Sequence, residues 1–420
     1  MASESPIPRK VLLFGSTGVI RKFILQALID EKASFEKIGI FTSQGTAEKK
    51  KDVLDRVKAE GVEVVVGDVN SEADIAKAYE GFDTVISALG RNVILTQIAL
   101  LDIIKLLLEI QEFFLGCWRK WPNVLEIAIL RMGDEYSRRI LHLERGLGSH
   151  DKSMQGVDEE GRRKMGESSN LYAVCDLNQA SIYKLGPHGP PSTRDGRNSN
   201  LLDIAERSST IHTFYPSEYG TDIEYSPTSS TEPPHQLKLK VRAHIRTNIK
   251  KLHITYLVTG PYSDLYFGKL PGKAGEVGSF NPKEHKAVLL GSGDDKVSFT
   301  SMADVGKLLV AALKVPAKEK ERTLKVNSFT TTPHEILKEF ERQTEAKWEV
   351  KYTSLDALKK GRKEDWEKGD PLATVYTLRR IWTEGGTLYE KRDNGKIGDP
   401  GMETLENQVK KAVEKEIVGS

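Results

Sequence analysis

Residues 15–18, Gly-Ser-Thr-Gly, follow the apolar run Val11-Leu12-Leu13-Phe14. Such a run reads as a buried parallel strand, after which the chain must turn sharply into a helix. Gly15 can take the unusual backbone angles of that turn. Gly18 has no side chain to keep a pyrophosphate away from the backbone. Ser16 and Thr17 add hydroxyl donors, and the helix that follows offers free N–H groups and a positive dipole end to phosphates. The candidate phosphate cradle is therefore Gly15, Ser16, Thr17, Gly18, Val19 and Ile20. Arg21 stands where a third glycine would let helix and strand pack closely. Its long side chain can reach solvent or the phosphates themselves. A lone glycine loop is also compatible with an ordinary strand–turn–helix that binds nothing.

Other chemistries find little support. None of the thirteen tyrosines has a lysine four residues later, so the usual dehydrogenase Tyr/Lys signature is absent. There is no G-x-S-x-G elbow, and the nine histidines show no metal spacing with carboxylates or cysteines, so no metal site is expected. The net charge of +2 gives no strong pull toward nucleic acid or a membrane. The start of the chain has no apolar signal core. The longest apolar candidate, residues 98–115, is broken by Asp102, Lys105, Glu109 and Glu112. Two cysteines make no disulfide framework. A cytoplasmic protein with a small-molecule substrate is the expectation.

The elements that must hold the loop alternate in the βαβ manner. Strands are predicted over 11–14, 37–42, 62–69 and 82–90, and helices over 21–30, 47–60 and 73–79. A fifth strand is predicted over 211–215, a basic amphipathic helix over 236–251 and a sixth strand over 252–260. Parallel strands joined by helices form a doubly wound sheet, with the ligand beyond the carboxyl ends of the strands where their order reverses. Between strands four and five the pattern breaks. The tetrapeptide LLDI at 100–103 recurs 101 residues later at 201–204, and joining the copies yields one continuous helix, QIALLDIAERSS. Cys117, Cys175, Trp118, Trp121 and loop-like runs such as GPHGPPSTRDGRNSN fall between them. The expected organisation is a first part of a Rossmann domain (1–103), an atypical, largely disordered insertion (104–204), the second part of the Rossmann domain (205–260), and a smaller substrate lobe with returning Rossmann elements (261–420). A genuine insertion domain is the alternative reading of 104–204.

Taken together, VLLFGSTGVI, VEVVVGDV, DTVISALGRNV, FYPSEYGTD, QLKLKVR and VSFTSMADVGKLL resemble the isoflavone reductase-like branch of the NmrA-like family, atypical short-chain dehydrogenase/reductases, and most of all its fungal members. The resemblance covers the chain outside about 104–200. PSEYG followed by K-x-K-V-R carries more specificity than the glycine loop. It implies an α/β fold with an NAD(P)-binding Rossmann sheet, NADP(H) as cofactor, and an NADPH-dependent reductase of a small aromatic, phenylpropanoid-like or quinone-like compound. Some family members instead bind the dinucleotide as regulators without turnover, with a protein partner.

The resemblance also assigns roles. Lys238 matches the lysine that does the acid/base work on the helix after the PSE[FY]G loop, and Arg242, one turn on, matches its arginine. An arginine and an apolar pocket would both lower the lysine pKa. Lys240 is the runner-up. Members often hold the 2′-phosphate with an arginine at the end of strand two. Here Thr42 or Ser43 stands there, with no acidic residue to favour NAD, and the run Lys49-Lys50-Lys51 follows, Lys51 being the candidate. From fold position, Ala88, Leu89, Gly90 and Asn92 should border the cofactor at strand four, and Pro216, Ser217, Glu218 and Tyr219 at strand five beside the nicotinamide. Tyr262, Tyr266 and Phe267 are candidates for contact with a flat apolar substrate, each equally readable as core.

Overall fold

The apolar run at the start of the chain forms β1 (Lys10–Phe14), whose last four residues are completely buried. The computed structural model describes residues 5–15, 20–90, 200–270, 272–367, 370, 372–389 and 391–417. Ser16, Thr17, Gly18, Val19, Asn92 and residues 104–199 of the expected insertion lie outside them. After β1 come α1 (Arg21–Asp30), β2 (Lys37–Thr42), α2 (Gln44–Lys49), α3 (Lys51–Ala59), β3 (Glu63–Val66), α4 (Glu72–Tyr79) and β4 (Thr84–Ser87). The chain then contributes α5 (Leu201–Arg207), β5 (Thr213–Tyr215), α6 (Gln236–Asn248) and β6 (His253–Val258). The remainder forms α7 (Ser263–Tyr266), β7 (Ser279–Asn281), β8 (Lys286–Leu290), β9 (Val297–Phe299), α8 (Met302–Leu313), β10 (Glu321–Lys325), β11 (Phe329–Thr331), α9 (Pro333–Thr344), β12 (Glu349–Thr353), α10 (Leu355–Glu367), α11 (Leu372–Thr383) and α12 (Leu405–Ile417).

Seven strands make one parallel sheet in the order β10-β6-β5-β4-β1-β2-β3. The order reverses between β1 and β4, which pair directly from Val11 opposite Thr84 to Phe14 opposite Ser87. The central strands are apolar on both faces because helices cover both sides. On one face Ile24, Leu25, Ala27 and Leu28 of α1 and Val305, Leu308 and Leu309 of α8 share a core with Val11, Leu13 and Ile40. The sequence after residue 261 therefore returns to the Rossmann sheet twice, as α8 and as the edge strand β10. A smaller three-stranded sheet, β12-β8-β7, and the pair β11-β9 build the second lobe around an aromatic core of Phe280, Phe299, Phe340 and Trp348.

Several predicted elements are shorter than expected, the fourth strand most of all (82–90 against Thr84–Ser87), and one helix is divided. The single helix expected over 47–60 is two, α2 and α3, and it starts earlier. Ser43 caps α2 by accepting from Thr46 N, and Lys50 (φ −122°, ψ 33°) leaves the helical region between them. The third strand is shorter, because Asp68 begins a turn in which its N–H donates to the Asp74 carboxylate and its own carboxylate accepts from Asn70 N.

The second LLDI copy forms α5. Asn200 caps it, its Oδ1 accepting from the N–H groups of Leu202 and Asp203 at 3.0 Å each. Tyr79 donates its hydroxyl to Leu201 O (2.9 Å), and Asp203 reaches the His244 ring on α6 (2.8 Å). The first copy lies outside the described residues.

Candidate active site

The candidate site residues gather at the carboxyl ends of β1, β2, β4 and β5. Gly15 takes φ +128°, and a Cβ there would lie 2.4 Å from Ala88 O. The first loop therefore presses against the end of β4, and only glycine satisfies both the angle and the contact. Ala88 is buried and donates to Phe14 O (2.7 Å), while Leu89 and Gly90 are half-buried. Ile20 is buried in the core below the loop. Arg21 opens α1 half-buried, and desolvation lowers its pKa. The buried face of α1 is made by Ile24, Leu25, Ala27 and Leu28, so the arginine does not interrupt helix–sheet packing.

Three buried hydroxyls close to these strand ends have no partner among the described residues: Thr42 Oγ1 at the end of β2, Ser87 Oγ at the end of β4, and Tyr219 OH after β5. Buried polar groups are normally satisfied. Orphaned hydroxyls in the crevice where a doubly wound sheet takes its ligand fit a polyhydroxylated, phosphate-bearing cofactor. The end of β2 carries no carboxylate. Ser43 there is occupied as a helix cap, bonded to Thr46, and Lys49, Lys50 and Lys51 are exposed.

The loop after β5 is tied to the loop after β4, because Ser217 Oγ donates to Leu89 O (2.7 Å). Pro216 and Glu218 are buried, and Glu218 N closes a tight turn on Pro216 O (2.8 Å). Lys238 projects from the first turns of α6 onto this loop. Its Nζ donates to Glu218 O (2.6 Å) and lies 3.6 Å from where a Gly220 Cβ would be. Tyr262 donates its hydroxyl to Tyr219 O, and burial pushes the Tyr219 phenol well above its ordinary range. Lys240 is half-buried, and desolvation pulls its pKa down.

Arg242 has surroundings the sequence reading did not anticipate. Its guanidinium is 1% exposed and sits among carboxylates: Glu218 Oε1 at 3.1 Å, Glu224 Oε2 at 2.6 Å and Asp222 Oδ1 at 4.0 Å. It also lies over the Tyr256 ring, 4.4 Å from the centroid. Expected beside Lys238 and as a cofactor contact, it is enclosed by these carboxylates. The acids that do this follow PSEYG directly in TDIE, and that run of acids was the signal available in the sequence.

The aromatic candidates divide. Tyr262 is half-buried against the PSEYG loop. Phe267 is 1% exposed and packs on Phe299, Phe280, Phe329 and Phe340 in the second-lobe core. Tyr266 is buried between Phe299 and the Arg379 guanidinium. Among the described residues no group of three or more metal-ligating side chains is gathered, and no helix is long and apolar enough to cross a membrane.

Comparisons with known proteins place the chain among its relatives. The chain is 27% identical over 187 residues to an oxidoreductase, aprR, of Aspergillus flavus, covering 44% of this chain and 60% of that one. It is 32% identical over 164 residues to the isoflavone reductase homolog IRL of Zea mays, covering 39% and 51%. The chain thus spans about half the length of the curated relatives it matches. The leucoanthocyanidin reductase–NADPH complex from Vitis vinifera superimposes with a TM-score of 0.59 at 14% identity, covering 96% of this chain and 99% of that one, which is agreement in fold. The model of the NmrA-like family matches residues 8–116 and 192–366, most of the chain on either side of the interruption, and the protein belongs to that family.

Proposed function

We propose that the protein is an NADPH-dependent reductase of a small aromatic, phenylpropanoid-like or quinone-like compound, with Lys238 as general acid/base. The observation that carries this reading is the placement of the Lys238 amine on the loop after β5, held by Glu218 O and beside Gly220. That loop is joined through Ser217 and Leu89 to the β1–β4 crevice. The relatives named as an oxidoreductase and an isoflavone reductase homolog, and the NADPH carried by the Vitis vinifera structure, support it.

Gly15, with Ser16, Thr17, Gly18, Val19 and Ile20, would hold the pyrophosphate, and Thr42, Ser43 and Lys51 the 2′-phosphate side. Ala88, Leu89 and Gly90 would border the adenine-side ribose and linker, and Pro216, Ser217, Glu218 and Tyr219 the nicotinamide. When bound, NADPH supplies a hydride from C4 of its nicotinamide ring. An ammonium has three protons and no acceptor. Lys238 donates to Glu218 O, which fixes the amine on this loop, where it would give or take the proton that the reduction moves.

NADPH consumption against a panel of aromatic enones and quinones, beside NADPH titration of the same sample, tests the reading. Consumption that depends on Lys238 supports it. Binding without consumption of any compound assigns the protein to the family's regulatory, non-catalytic type.

A further inference from the structure

Lys238 rests between two supports, the helix that carries it and the loop that receives its amine. α6 begins at Gln236, two residues before Lys238, and is led in by a 3-10 turn, Pro233–His235. The two prolines lock φ in that turn, so the start of α6 is tied stiffly to Glu232. The Glu232 carbonyl accepts from His235 N (3.0 Å) and from Gln236 Nε2 (3.1 Å). On the other side, the Lys238 amine donates to Glu218 O and lies beside Gly220. That loop is fixed in turn to the end of β6, where Thr259 and Gly260 donate to Gly220 O at 3.1 and 2.8 Å.

Both supports are gripped by one helix of the second lobe. α11 packs through Leu372, Val375 and Tyr376 into a cluster with Leu358 of α10 and Leu290 of β8. From α11, Arg380 donates to the Glu232 carboxylate, and both side chains are 8% exposed. Glu384 takes the other end of the guanidinium. Two residues on, Trp382 Nε1 donates to Thr221 Oγ1 (2.7 Å), and Thr221, itself buried, directly follows Gly220. A buried ion pair is weak evidence for stability, because desolvation offsets the attraction. What the planar guanidinium fork does supply is a fixed direction and distance. Here that direction runs from α11 to the residue that sets where α6 starts.

We propose that Arg380 and Trp382 are positioning residues for the reduction: from α11 they hold the helix that carries Lys238 and the loop that receives its amine at one fixed spacing. Both act through Lys238. The lobe expected to take the substrate therefore also sets where the proton-transfer group stands. The inference rests on the reductase reading for its reaction, but part of its test does not need turnover.

Trp382→Phe and Arg380→Met are compared with the wild type as full chains whose circular dichroism spectra match, using the enone or quinone that the wild type reduces fastest. In both variants kcat should fall by about tenfold or more, toward the roughly 10² that a misplacement of about 1 Å costs. KM and NADP+ affinity should stay within a few-fold. Arg380→Lys, which keeps the charge and loses the fork, should recover part of the loss. A second readout follows acetylation of Lys238 by the N-hydroxysuccinimide ester of acetate, measured by peptide mass spectrometry against the exposed Lys338. Released from Glu218 O, Lys238 should react about fivefold faster or more, the worth of about one hydrogen bond. Unchanged kcat and unchanged Lys238 reactivity in these variants overturn the proposal. So does a fall in kcat with no change at Lys238, the mark of side chains that serve folding alone. If Arg380→Met does not fold, Trp382→Phe decides. A wild type that consumes no compound sinks the reductase reading, and the acetylation rates still decide whether α11 holds the amine.

Discussion

Arg242 Nε lies 3.1 Å from Glu218 Oε1, and both side chains are at most 2% exposed. This pair joins α6, which carries Lys238, to the loop on which the Lys238 amine rests. Removing the cation strands Glu218 as a buried, unpaired carboxylate, while Asp222 keeps Lys325 at 2.8 Å. Arg242→Met should destabilise the fold by about 3–5 kcal/mol, the cost of breaking a buried ion pair from one side. Denaturant unfolding measures it. A loss below about 1 kcal/mol would mean that the cluster is not held by this charge.

Lys238→Met should leave NADPH affinity within a few-fold and lower turnover by about 10² or more, the usual scale of general acid–base catalysis. Lys240→Met is the comparison. If Lys240→Met shows the loss and Lys238→Met does not, the role moves one half-turn along α6.

Gly15→Ala places a Cβ on Ala88 O and forces an L-residue to φ +128°. Backbone strain of this kind costs about 1–3 kcal/mol, and relieving the clash displaces the first loop from β4. Weakened NADPH binding together with a lowered unfolding midpoint is expected. Unchanged binding would show that the loop does not need to abut β4.

Glu224 is held down from an ordinary 4.5 to about 2, chiefly by hydrogen bonds from Arg246 and then from Arg242. A carboxyl with a depressed folded-state pKa contributes stability that is fully present above 4.5 and is lost as pH falls toward 2. The carboxyl is largely solvent-facing, so the effect is modest. Unfolding midpoints measured near neutrality and at about pH 2.5 should fall more for the wild type than for Glu224→Gln. Parallel curves would exclude a role for this carboxyl in acid sensitivity.

Deleting residues 104–204 leaves one LLDI and one unbroken helix. The second copy packs against Tyr79 of α4 and His244 of α6, and on deletion the first copy, identical over LLDI, is expected to take its place. The shortened chain should therefore keep its circular dichroism spectrum and bind NADPH at least as well as the full chain. Loss of the fold on deletion would make the insertion a structural part of the protein.

Much of the Rossmann sheet was legible in the sequence, because buried parallel strands must be apolar on both faces and their ends must turn. The runs at 11–14 and 37–42, the PSEYG loop and the lysine helix each announce themselves within a dozen residues. The break at Lys50 was not legible, since Ser43 sets where α2 begins and no periodicity reports a cap competing with a helix already counted. Nor were the partners of the buried charges. Arg242 looks the same in sequence whether it faces Lys238, a phosphate or Glu218, 24 residues away. Arg379 looks like one more charged residue on a helix until Tyr266 is seen beneath it. Periodicity records how deeply a side chain is buried, because burial repeats along an element. Which charge meets which is decided by elements that come together only in the folded chain.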